Sequence, residues 1–124
     1  TVGIIALKNG LDFVSFMGTE KIFRHENRLC RRFIDGLYGT DVIIYRRPGV
    51  GYVPIVSFNL PGMKPEDAAG LLNQRGFCLR AGLHCSPMAH HSLGTPDGTV
   101  RFAPSVFNNE QQVENLVKTI KKLQ

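Results

Sequence analysis

"RAGLHCSPMAHH", residues 80–91, sets Cys85 between a histidine and a Ser-Pro step, with Arg80 upstream on the same segment. A thiol in that setting has three chemistries open to it: nucleophile, metal ligand or small apolar packing unit. Reactivity follows charge, because a helix N-terminus and nearby cations favour the thiolate, the form that attacks. Ser86 reads as an N-cap, Pro87 as a first helical residue and Gly94 as a stop, so Cys85 falls just ahead of a short helix. His84 and Arg80 add positive charge on its other side. The pattern favours a reactive thiol.

The rival chemistries fit the spacing less well. His84, Cys85, His90 and His91, with Cys78 nearby, are the residues a zinc site would have to use. Zinc usually draws on two spaced ligand pairs, and adjacent His90 and His91 point to different sides of a helix, so no metal is expected. Both histidines are expected in solvent. Burial as an inert thiol, the commonest fate of a free cysteine, is assigned to Cys30 and extended to Cys78.

Strand alternation decides which side chains accompany the thiol. In "FCLRAG", residues 77–82, Phe77 and Leu79 share one face, leaving Cys78 and Arg80 on the other. In "GTVRFAP", residues 98–104, Val100 and Phe102 share a face opposite Arg101. With the apolar pairs turned toward helices, Arg80 and Arg101 project together from the far side of the sheet. The loop joining these strands carries Cys85. Two guanidiniums beside a thiol make a pocket suited to a carboxylate.

Several elements must hold that pocket. Ile4, Leu7, Leu11 and Val14 recur at helical spacing and predict a helix over roughly the first 17 residues. Ile5, Phe13 and Phe16 lie off that stripe and need a second surface. Thr19 reads as the N-cap of a second helix running to about Tyr38, with Gly39 as its stop. Ile22, Phe23, Leu29, Cys30, Phe33, Ile34 and Leu37 gather on one side of it, with Glu26 oddly among them. Lys21, Arg24, Arg28, Arg31 and Arg32 gather on the other, a stripe better read as a solvated face than as a nucleic-acid surface, since it lacks interleaved aromatics.

After Gly39 the period changes. Val42–Arg46 and Tyr52–Asn59 read as strands joined by a Pro-Gly turn at Pro48 and Gly49. The G-x-G there lies between strands and not ahead of a helix, which disfavours a phosphate loop. "PGMKPEDAAGLLNQR" predicts a turn and a helix with Pro65 in its first turn. The last helix opens at Asn108 or Asn109, with Val113, Leu116, Val117 and Ile120 on one face. Hairpin-linked strands with helices mainly on one face predict an α+β two-layer sandwich, its antiparallel sheet holding about four strands.

The 124 residues suit a single domain, 1–124, and a net charge of +5 permits an anionic partner without requiring one. No apolar run reaches the roughly 18 residues a membrane span needs. Three cysteines are too few for a disulfide framework, which with the lack of a signal peptide leads us to expect a reducing, cytoplasmic setting. Without an initiating Met, the chain is expected to be part of something longer.

"RAGLHC" followed by "GTVRFAPSVFNNEQQVENLV" resembles the C-terminal small domain of class V aminotransferase-fold enzymes, specifically the cysteine desulfurase group. "VSFNLPGMKPEDAAGLL" and "GIIALKNGLDFV" are similar to preceding segments of the same family, so the resemblance runs through the whole chain. It implies that Cys85 is the catalytic cysteine, which takes sulfur from an L-cysteine bound to pyridoxal phosphate, becomes a persulfide and leaves alanine. It implies further that Arg101 grips the substrate carboxylate, that Arg80 is a second active-site arginine, and that His84, which matches a histidine often found before the nucleophile, is a supporting residue. The family's Schiff-base lysine follows a histidine in a large domain, and no lysine here does. The chain is therefore expected to be inactive alone, unable to hold the cofactor, and completed by a large domain of the same chain in a homodimer that serves a sulfur acceptor. Two alternatives remain: a class V aminotransferase or lyase for another amino acid, and a stand-alone metal- or nucleic-acid-binding module.

Overall fold

Strand pairing organises the molecule. The computed structural model describes residues 1–47 and 49–124. In chain order come α1 (Val2–Met17), α2 (Thr19–Gly36), β1 (Ile43–Ile44), β2 (Val56–Asn59), α3 (Pro65–Gln74), β3 (Arg80–Gly82), α4 (Pro87–Ser92), β4 (Thr99–Phe102) and α5 (Glu110–Lys121). The strands form one antiparallel sheet in the order β1-β2-β4-β3. With α2, α3 and α5 against it, this is the expected α+β two-layer sandwich.

The core lies between those layers and follows the two periodicities of the sequence. β2 turns Val56 and Phe58 inward, β4 turns Val100 and Phe102, and α5 presents Val113, Leu116, Val117 and Ile120. From α2 come Leu29, Cys30, Phe33 and Leu37. The Phe33 ring stacks on Phe102 with centroids 4.3 Å apart and meets Phe58 at 5.3 Å. Such aromatic pairs contribute about 0.5–1.5 kcal/mol beyond the area they bury. Burial pushes the Cys30 thiol up to about 11, with Arg46 opposing and half-buried Glu26 adding to the shift. An inert Cys30 agrees with the sequence.

Asn109, of the two candidates, starts α5. Its side chain accepts from the Gln112 amide at 3.0 Å while the Gln112 side chain accepts from the Asn109 amide at 3.1 Å, a complete capping box. Thr19, by contrast, is the first helical residue of α2 and not its cap. Gly18 takes that place with φ +81°, a conformation glycine adopts without a Cβ clash as the chain reverses from α1 into α2.

α1 departs further from expectation. Its stripe does not reach the core: no residue of α1 is buried, and Leu7 is 64% and Phe16 86% exposed. Apolar residues surround this helix on all sides, while α2, α3 and α5 already fill the helical layer over the sheet. Phe13 stacks on Phe107 with centroids 5.5 Å apart.

The strands are shorter than the runs that predicted them. Residues 52–55 lie outside β2 because the Arg46 guanidinium takes their carbonyls, donating to Val53 O at 3.2 Å and Ile55 O at 2.6 Å. Residues 77–79 are likewise tied to the end of α3, with the Leu79 amide on Asn73 Oδ1 at 2.9 Å and the Phe77 amide on Leu72 O at 3.0 Å. Of the expected Pro-Gly turn, Pro48 lies outside the described residues. On the basic face of α2, Arg28 pairs with Glu110 at 3.2 Å, and Arg32 with Glu110 at 3.2 Å and with Glu114. Carboxylates of α5 thus neutralise part of the stripe. Among the described residues no helix is long and apolar enough to cross a membrane.

Candidate active site

The register of β3 and β4 places Arg80 directly opposite Arg101. Directly opposed residues share a sheet face and bring their Cβ atoms to about 5 Å. Val100 and Phe102 turn into the core, so this face is the one away from the helices, as alternation predicts. Arg101 is half-buried and Arg80 exposed, and among the described residues neither has a carboxylate partner. Two unneutralised guanidiniums side by side repel each other and favour an anion between them.

Two devices hold this pair in register. A Cβ on Gly98 would lie 2.3 Å from the carbonyl carbon of Gly82, so the backbones at the β3–β4 end approach as only glycine allows. Asn59 bridges the other side, donating to Gly98 O at 3.1 Å and accepting from the Val100 amide at 3.3 Å. These contacts fix the start of β4, and with it Arg101.

β3 runs directly into the turn that carries the thiol. The Ser86 amide donates to Leu83 O at 2.9 Å, closing a turn whose central residues are His84, φ +49°, and Cys85, φ +59°. Positive φ at two successive residues with side chains is strained, and such strain concentrates at functional sites. Cys85 is exposed. Ser86 occupies the N-cap of α4 as expected, but its hydroxyl makes no capping bond and turns instead to His84 O at 3.5 Å. Gly94, φ +68°, follows the end of α4.

The histidines divide. His84 is half-buried, its Nε2 3.0 Å from Thr99 O. Burial above all holds its imidazole below the ordinary range, and the charges of Arg101, His90 and Arg80 push the same way against the Thr99 hydrogen bond. His84 thus has both arginines within electrostatic reach. His90 corrects the expectation of a solvated side chain: it is buried, with Nδ1 2.9 Å from Thr95 Oγ1. His91, adjacent on α4, is exposed as expected. Cys78 is a second correction. It is exposed and not buried, on the segment that the end of α3 draws away from the sheet. Among the described residues no group of three or more His, Cys, Asp or Glu side chains is placed to hold a metal ion.

The structure pairs Arg80 with Arg101 across β3 and β4 and places His84 under the charge of both, while Cys85 follows His84 on the turn that leaves the opposite end of β3. The left-handed turn had no signal in the sequence, since neither Gly nor Asn marks it. The same is true of the buried His90, whose partner Thr95 lies beyond the helix end.

The α+β sandwich thus carries an exposed thiol on a left-handed turn and, on the strands that flank that turn, a pair of arginines without carboxylate partners among the described residues. The chain belongs to the class V aminotransferase family, whose model, described as "Aminotransferase class-V", matches residues 1–116. It is 34% identical over 117 residues to a "Probable cysteine desulfurase" of Halobacterium salinarum, covering 94% of this chain and 28% of that protein. It is also 34% identical over 111 residues to a "Cysteine desulfurase" of Haloferax volcanii, covering 89% of this chain and 26% of that one. Among solved structures, a cysteine desulfurase from Thermococcus onnurineus superposes with a TM-score of 0.87 at 31% identity, over 92% of this chain and 28% of that one. One from Escherichia coli gives a TM-score of 0.86 at 23% identity, over 97% of this chain and 29% of that one, a likeness of fold alone. The chain thus spans between a quarter and a third of the length of these relatives.

The family implies pyridoxal phosphate, which is held through a lysine amine. The residues present do not fit that group. The cations acting on His84 are arginines and a histidine, with no lysine among them. The chain's lysines lie on α1 and α2, on α5 and its C-cap, and ahead of α3, apart from the Arg80–Arg101 face.

Proposed function

We propose that this chain is the C-terminal small domain of a cysteine desulfurase-like enzyme, supplying its sulfur-accepting thiol and its carboxylate clamp. The observation that carries the reading is the direct opposition of Arg80 and Arg101 on the outer sheet face, on the two strands joined through the turn bearing exposed Cys85. A larger domain of the same polypeptide holds the cofactor, and the fragment alone is inactive. The complete enzyme works as a homodimer and passes its sulfur to an acceptor.

Each residue then has a defined task. Arg101, half-buried and fixed through Asn59 and Gly98, forms a bidentate pair with the carboxylate of L-cysteine, a geometry lysine does not reproduce. Arg80 adds a second positive charge across the strands. Neutral His84 supports the turn without adding a competing cation. Cys85 attacks the substrate sulfur: a sulfur–sulfur bond forms as the substrate's carbon–sulfur bond breaks, and the carbon takes up a proton to complete alanine. Thiol and cysteine thus become persulfide and alanine with no outside oxidant.

The test is made on the full-length enzyme with its cofactor. Cys85→Ala is expected to abolish persulfide and alanine release from cysteine while the cofactor stays bound. Arg101→Lys should cut kcat/KM by about tenfold or more, the worth of one charge-assisted bidentate contact. A wild-type enzyme that leaves cysteine intact but transaminates or cleaves another amino acid would overturn the desulfurase reading. Unchanged kinetics in Arg101→Lys would overturn the clamp.

A further inference from the structure

A turn with two successive side-chain-bearing residues at positive φ persists only where its surroundings over-determine it. The structure supplies two anchors, one on each side of Cys85. Upstream, His84 Nε2 lies 3.0 Å from Thr99 O, at a residue only 1% exposed, so water does not compete for that carbonyl. A carbonyl only accepts, so Nε2 carries the proton and donates. Downstream, Thr95 folds back on α4. Its amide donates to His90 O at 2.9 Å, and its hydroxyl lies 2.9 Å from His90 Nδ1 and 3.4 Å from His90 O. The hydroxyl thus ties the His90 ring and the His90 carbonyl to the residue beyond the end of α4.

These anchors are adjacent. The His84 and His90 rings stand 6.1 Å apart, with His90 7% and Thr95 6% exposed. α4 has only six residues, too few to hold its own orientation by helix formation. What fixes it is the buried His90–Thr95 pair, and what fixes the residue before the thiol is the His84–Thr99 bond. Neither pair includes Arg80 or Arg101.

We propose that His90 and Thr95, acting with His84 and Thr99, form a positioning latch that holds the turn of Cys85 in its left-handed conformation and so aims the thiol. His84 and His90 are positioning residues: they act through the backbone of the turn and not on the substrate. The effect on sulfur transfer rests on the desulfurase reading, whereas the effect on the turn does not.

Hydrogen exchange and steady-state kinetics on the full-length, cofactor-loaded enzyme test this with paired variants. Thr95→Val removes the hydroxyl while keeping its shape, and Thr95→Ser restores it. His84→Ala removes the Nε2 donor, and His84→Gln offers an amide donor in its place. Thr95→Val and His84→Ala should speed exchange at the Ser86 and Thr95 amides by about three- to tenfold, the loss of one buried hydrogen bond, with α5 unchanged. Their kcat for alanine release should fall while KM for cysteine holds, since the arginines are untouched. Thr95→Ser and His84→Gln should recover both. Wild-type exchange in Thr95→Val, or no recovery in Thr95→Ser and His84→Gln, would overturn the latch. Should the wild type release no alanine while the exchange pattern holds, the latch stands and the desulfurase reading falls.

Discussion

α1 and α5 use apolar residues to opposite ends. α5 is mostly polar, yet Val113, Leu116, Val117 and Ile120 fall on one stripe and are all buried. α1 is the more apolar helix, but its side chains point in every direction and none is buried. A helix is drawn into a core by the concentration of apolar residues on one face, more than by their number. α5 belongs to the folding unit of this chain, and α1 stands outside it.

Substitutions can break that contrast, beginning with the largest effect. Leu116→Ala in α5 should destabilise the chain by about 2–5 kcal/mol, through lost burial and the cavity left behind. Thermal or urea unfolding measures it. Asn109→Ala should cost about 1 kcal/mol by the same measurement, since it removes the side-chain oxygen that accepts from the Gln112 amide. A slighter effect separates the sheet from α1 by pH. Because His84 binds its proton less readily folded than unfolded, stability is full above about pH 6.5 and falls as pH drops through the folded value. His84→Gln should flatten that part of the profile, whereas changes in α1 should leave its shape alone. Smallest of all, Leu7→Ala in α1 should shift stability by no more than about 0.5 kcal/mol. A large loss there would mean that α1 belongs to the core after all.

What the sequence discloses differs between these regions for a physical reason. The α5 stripe, its Asn cap and the outward pair Arg80 and Arg101 were legible because period and alternation are local properties. The pairing of the arginines, and the turn carrying His84 and Cys85 between their strands, followed from counting along two strands and the loop between them. Partner choice was not legible. That Arg46 would cap the carbonyls of Val53 and Ile55 and shorten β2, or that Asn73 would draw residues 77–79 away from the sheet, depends on side chains distant in sequence. His90 was misplaced because its burial depends on Thr95, and Cys78 because the burial habit of its residue type does not hold on a segment drawn off the sheet by α3. The stripe of α1 misled because a helical period says that a face exists and not that anything faces it.

The opposition of Arg80 and Arg101 has a mechanical consequence for the edge of the sheet. β3 is an outermost strand, joined only to β4, and mutual repulsion works along that single seam. An anion bridging the two arginines would remove the repulsion and fasten the strand, and by mass action the seam would grow firmer as the anion's concentration rises. Without such a bridging anion, the sheet is most readily prised open along its β3–β4 border.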